Sequence, residues 1–142
     1  MNKNMVNNWI APAVKALKYT GIANDKDEIV KTFRGQISTF GTAVVMGSLK
    51  SAVAFFSGDS KSDVTRENLL RAMYYIIQGF ESEDQIKDIK GYDVFKYVCD
   101  NDTAQTKELF INASIALKLA MNFYTLVPTK EKNKRGENGE ES

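Results

Sequence analysis

The chain has 142 residues, with 19 Lys and Arg against 18 Asp and Glu and a formal charge of +1, so no global attraction to a polyanion is built into it. It contains no histidine and a single cysteine. That excludes Ser-His-Asp and Cys-His nucleophilic sites, imidazole acid–base chemistry, the usual zinc ligand sets, an intrachain disulfide and a CxxC motif. One domain is the prior at this length, and such a chain can bury about two-thirds of its unfolded surface.

The charge is unevenly spread. Residues 1–57 carry seven basic and three acidic residues, and residues 58–127 carry eight basic and eleven acidic. A basic half and an acidic half could favour head-to-tail self-association, although solvated faces vary this much by chance.

In chain order, Met5, Val6, Trp9, Ile10, Ala13, Val14 and Leu17 recur at helical spacing. Pro12 either opens this helix or kinks it, and Gly21 is a plausible stop. The opening MNKNMVNNWIAPAV has no signal-peptide apolar core, which points to the cytoplasm. Asp25 followed by Glu28 reads as a capping box that starts a second helix, with Ile29, Val30 and Phe33 on its apolar side.

The run Ile37–Phe56, ISTFGTAVVMGSLKSAVAFF, lies between Gly35 and Gly58 with Lys50 as its one charge. At 100° per residue its apolar side chains cover more than half of the circumference, which predicts a central helix buried in a bundle. A membrane span needs about 20 predominantly apolar residues, and Ser38, Thr39, Thr42, Ser48, Lys50 and Ser51 interrupt this one. Gly41 and Gly47 weaken the helix unless another backbone approaches closely. A narrow strip of Gln36, Thr39, Ala43, Gly47, Lys50 and Ala54 is polar or small, open to packing or to a partner.

SGDSKSD after Phe56 reads as a loop, with Ser62, Asp63 and Thr65 as cap candidates. Leu69, Leu70, Met73, Ile76, Ile77 and Phe80 predict the next helix, which ends near Gly79. A short acidic turn over Glu81–Lys90 is broken at Gly91, and Tyr92, Phe95, Val98 and Cys99 suit another short helix with Cys99 as a small core residue. Asp102 or Thr103 caps the last helix and Pro128 ends it. That helix is also apolar over a broad surface, with Lys118 alone between Leu109 and Val127. PTKEKNKRGENGEES, residues 128–142, has the composition of a disordered tail. No period-2 alternation is long enough for a strand, and the GxGxxG, P-loop and HExxH signatures are absent.

These patterns predict an all-α, compact single-domain bundle over residues 1–127, of five to seven helices. Two of them are long and largely buried, and there is no sheet. They point to no catalytic residue, no metal and no cofactor. The basic candidates for contact with a polyanion are Lys15, Lys18, Lys31, Arg34, Lys50, Lys107 and Lys118, each of which could equally be an ordinary solvated residue. Lys50 and Lys118 stand out because a charge alone on a largely apolar helix needs a reason.

Two stretches carry a resemblance. MGSLKSAVAFFSG, Met46 to Gly58, is similar to the helix of the small subunit of type III-B (Cmr) CRISPR effector complexes that ends in a Gly-Leu pair and then a Leu-Ala-Phe segment. Those positions are filled here by Gly47, Leu49, Val53, Ala54 and Phe55, with Ser48 inserted into the Gly-Leu pair. LFINASIALKLAMNFYTL, Leu109 to Leu126, resembles the family's closing Ala- and Leu-rich helix, and the likeness covers about residues 5–127. The resemblance implies a non-catalytic, RNA-binding structural subunit. Copies of it would stack head to tail along a guide RNA–target RNA duplex beside the other effector-complex subunits, with neither a membrane nor a small-molecule substrate as partner. The small subunit of the related type III-A complex is an alternative.

Two readings of other kinds compete. Asp63–Phe80 with its neighbours could imitate a DNA-binding helix-turn-helix, but residues 81–108 carry eight acidic against four basic residues, a poor surface for a groove. Asp and Glu pairs could bind magnesium or move protons, yet they cluster in connections outside the apolar helices.

Overall fold

The computed structural model describes residues 1–58 and 65–129. Among these are seven α-helices, one 3-10 turn and a two-stranded parallel sheet. Helix α1 (Lys3–Tyr19) starts at Asn2, whose side chain accepts from the Met5 backbone N–H, and it runs through Pro12. Its buried stripe is Val6, Ala13, Ala16 and Leu17.

The Asp25–Glu28 capping box does not form. Asn24 Oδ1 instead accepts from the backbone N–H groups of Lys26 and Glu28, both at 2.9 Å, and closes a local turn. The chain leaves that turn as strand β1 (Glu28–Val30). Helix α2 (Thr32–Met46) starts later, with no side-chain cap at Lys31.

The predicted single helix over Ile37–Phe56 is two helices. α2 ends at Met46 and α3 spans Leu49–Phe56. Gly47 sits at φ −121°, ψ −109°, and a Cβ there would lie 3.1 Å from the Ala43 carbonyl oxygen. Ser48 is extended, and its hydroxyl accepts from the Ser51 N–H at 3.1 Å as a regular N-cap. A glycine that can turn, followed by a serine that can restart the helix, overrides the continuous apolar pattern. The turn brings α3 against α2, with Phe40 and Phe56 edge-on at 5.2 Å.

Helix α4 (Glu67–Gln78) is closed by Gly79 in the left-handed region at φ +69°. The cap candidates Ser62 and Asp63 lie outside the described residues. Thr65 contributes its backbone carbonyl, which accepts from the Asn68 N–H. Helices α5 (Glu83–Ile86), α6 (Gly91–Asp100) and α7 (Ala104–Ala120) follow. Cys99 is exposed, not in the core: Val94 and Val98 form the buried stripe of α6, and Cys99 falls beside it. Thr103 caps α7, accepting from the Thr106 N–H.

The last helix stops well before Pro128. After Ala120 the chain makes the 3-10 turn Met121–Phe123 and then strand β2 (Thr125–Val127), which pairs in parallel with β1. Backbone bonds from Thr125 N–H to Asp27 O and from Lys31 N–H to Val127 O extend this pairing at both ends. The expectation of no sheet is therefore corrected. Three residues per strand are too few to show an alternation in sequence, and the pairing joins segments almost a hundred residues apart. The predicted tail, residues 128–142, lies outside the described residues from 130 onward; the Thr129 hydroxyl is hydrogen-bonded to the Thr32 hydroxyl.

Helix α7 packs against α1, α2 and α4, while α3 packs against α2 and α6. A half-buried cation, Arg71, joins the acidic connection to this core. Arg71 Nε donates to Ile89 O at 2.8 Å, Nη2 to Ile86 O at 2.9 Å and Nη1 to Asn68 Oδ1 at 2.9 Å. Burial lowers the Arg71 pKa from its usual value, with Glu67 opposing in part. Arg71→Ala would leave carbonyls without donors, so it should cost about 2–3 kcal/mol in urea unfolding. Lys26→Ala, at an exposed position, should stay within about 0.5 kcal/mol. Gly47→Ala should also destabilise, by about 1–3 kcal/mol, because the added Cβ presses on the Ala43 carbonyl oxygen.

Candidate nucleic-acid interface

The seven basic residues fall into groups at the two ends of α7. Lys50, in the first turn of α3, reaches Asp102 at 3.4 Å, just before the α7 cap. Lys107, half-buried, sits in the first turn of α7. A cation there gains nothing from the helix dipole, whose positive end it faces. Lys118 lies in the last turn, where the dipole favours it. Eleven residues of helix place Lys107 and Lys118 roughly 16 Å apart along the axis.

Contacts along the α2–α7 seam and around the sheet bring four more of the candidates, on α1 and at the start of α2, to the Lys118 end. Lys118 Nζ donates to Ser38 Oγ at 2.7 Å across the α2–α7 seam. One turn on, Arg34 donates to Asn122 Oδ1 at 3.1 Å across the same seam. Lys31 adjoins β2 through its backbone bond to Val127. Lys18 is ion-paired with Asp27, and the Asp27 carbonyl holds the start of β2. Lys15 is exposed one turn before Lys18 on α1. Lys18, Lys31, Arg34 and Lys118 thus surround one end of the molecule, while Lys50 and Lys107 occupy the other.

The lone lysines of the two apolar stretches both have local partners. Lys50 pairs with Asp102, and Lys118 with Ser38. Exposed pairs of this kind contribute about 0–1 kcal/mol and exchange readily with other anions. Between α2 and α7 runs an apolar groove lined by Ile37, Val45, Met46, Ile111 and Ile115, with Lys118 at its margin. Val45 and Met46 are exposed in it, at 64% and 81%.

Sequence reasoning passed over Arg66. Its guanidinium lies 4.5 Å from the centroid of the exposed Phe55 ring. Nothing in the spacing around Arg66 signals this contact, because the turn at Gly47 creates it. Among the described residues, no group of three or more Asp, Glu or Cys is placed to hold a metal. No helix there is long and apolar enough to cross a membrane. The chain matches no family model, no curated protein and no solved structure.

Besides Arg71, one lysine and three tyrosines are perturbed, all upward. The hydrogen bond to Asp27 raises the Lys18 pKa. Burial raises those of Tyr74, Tyr75 and Tyr124; the Tyr124 hydroxyl donates to Val14 O at 2.7 Å. The folded chain holds these four protons more tightly than the unfolded chain. Their stabilisation is complete below about pH 10 and is lost as the pH rises through the folded-state values. The urea midpoint should therefore fall above about pH 10. Tyr75→Phe, which removes a buried hydroxyl without a hydrogen-bond partner, should flatten that fall and leave stability at pH 7 within about 1 kcal/mol.

Proposed function

We propose that this protein is a non-catalytic structural subunit of a cytoplasmic RNA-guided, RNA-targeting complex of the type III-B (Cmr) class. In this reading several copies stack head to tail along the guide RNA–target RNA duplex, beside the other effector-complex subunits. The observation that carries it is the collection of Lys18, Lys31, Arg34 and Lys118 at one end of a helical domain, from three segments distant in sequence. A subunit that follows a duplex by shape needs cations near phosphates and few base contacts, since pairing supplies the sequence specificity. A net charge of +1 is compatible with this, because each copy contributes a modest contact and the contacts repeat along the strand. The resemblance of the Met46–Gly58 and Leu109–Leu126 sequences to that family favours the same reading, although the first is divided by the turn at Gly47 and the second ends in strand β2.

Mixing the protein with the remaining type III-B subunits and guide RNA should give a complex that contains several copies of it. Exclusion from that complex, or incorporation only with type III-A subunits, would overturn the assignment. Within the assembled complex, Arg34→Glu and Lys118→Glu should each weaken target-RNA association. Each should also reduce the slope of log affinity against log salt by roughly 0.7–0.9 per lost phosphate contact, with the far-UV circular dichroism unchanged.

A further inference from the structure

The turn at Gly47 leaves a cleft of about 460 Å³ between the start of α2 and the end of α3. Its walls are Thr32, Gly35, Gln36 and Thr39 of α2, Phe55 of α3, and Arg66. Phe55 is 61% exposed, its ring makes an edge-type pair with Phe56, and the Arg66 guanidinium carbon lies 4.5 Å from its ring centroid. An exposed phenyl ring beside a guanidinium plane is a stacking platform for another flat, electron-rich ring. Gln36 lines the same cleft, and its Oε1 is shielded from water without a hydrogen-bond donor. Rotation of the carboxamide out of that enclosure, to meet the N–H of a ligand in the cleft, would supply the missing hydrogen bond.

We propose that this cleft receives one unstacked adenine base of a single-stranded RNA segment, held flat against Phe55 and Arg66. A turn of the Gln36 amide about its last side-chain bond presents Oε1 to the adenine N6 amine and Nε2 to N7, the bidentate pairing that suits a glutamine. Lys31 precedes Gly35 by one helical turn, so it falls on the same face of α2 and is available to the adjoining phosphate. The proposal rests on the RNA-binding reading above and adds to it a base contact, separate from the Arg34–Lys118 seam.

The test uses the full chain, fluorescein-labelled rA6 and rU6, and fluorescence anisotropy at fixed salt. The native protein should bind rA6 more tightly than rU6. Phe55→Ala should weaken rA6 binding at least about fivefold, the lower end of the stacking contribution of one base, while Phe55→Tyr retains it. Gln36→Leu should erase the preference for rA6 over rU6. Equal binding of the two hexamers by the native protein, or native rA6 affinity in Phe55→Ala, would overturn the proposal. So would displacement of rA6 by AMP at equal base concentration, which would assign the cleft to a free nucleotide. Incorporation into the effector complex is measured independently. Assembly without the rA6 preference sinks the base site alone, and the preference without assembly sinks the subunit assignment alone.

Discussion

The fold depends on the enclosure of α7. Its long apolar surface meets α1, α2 and α4, and Phe110, Ala113, Ala116, Leu117 and Ala120 are all fully buried. The alanines matter as much as the larger side chains, since small residues let neighbouring helices approach closely enough to exclude water. A polar atom on such a helix must find a partner, and Asn112 does. Its Oδ1 accepts from the Asn2 backbone N–H at 3.1 Å and its Nδ2 lies 3.4 Å from Met5 Sδ, which fixes the start of α1 against α7. At the far end, the Tyr124 hydroxyl reaches Val14 and ties the chain beyond α7 back to α1. With α7 inside, the surfaces left for other work are the outer faces of α2 and α3 and the two ends of the bundle.

Helical periodicity made most of this legible. The stripes of α1, α4 and α6 were readable because each buries one face and wets the other, and Gly79 and Thr103 end and start helices as their chemistry predicts. The misread stretches each have their own physical reason. Ile37–Phe56 looked like one helix because hydrophobicity is continuous across it, and periodicity does not register a change of direction. The decisive signal was the Gly47–Ser48 pair, a residue free to turn followed by a good N-cap. The sheet escaped because its order is set by long-range pairing between Glu28–Val30 and Thr125–Val127. Asn24 outcompeted the Asp25–Glu28 box by taking the backbone donors first.

For the candidate site, residue type was legible and arrangement was not. Lys50 and Lys118 were singled out for standing alone in apolar stretches, and each proves to have a partner brought to it by tertiary structure, Asp102 and Ser38. Arg34 looked no different from Lys31 in sequence, yet its side chain bridges the α2–α7 seam to Asn122, while Lys31 meets β2 through its backbone N–H.

Electrostatics in this chain are therefore a matter of placement. With 19 cations against 18 anions, no long-range field draws an RNA in, and the Debye length of about 8 Å at physiological salt limits each lysine to its own surroundings. A phosphate that approaches the sheet end must compete with Asp27 for Lys18, but with only neutral acceptors, Ser38 and Asn122, for Lys118 and Arg34. The exchange is easiest along the seam, where no carboxylate has to be displaced. If the protein takes the RNA-binding role proposed above, the seam should be the first surface to engage a backbone, with Lys18 following only where the strand comes near enough to replace its aspartate.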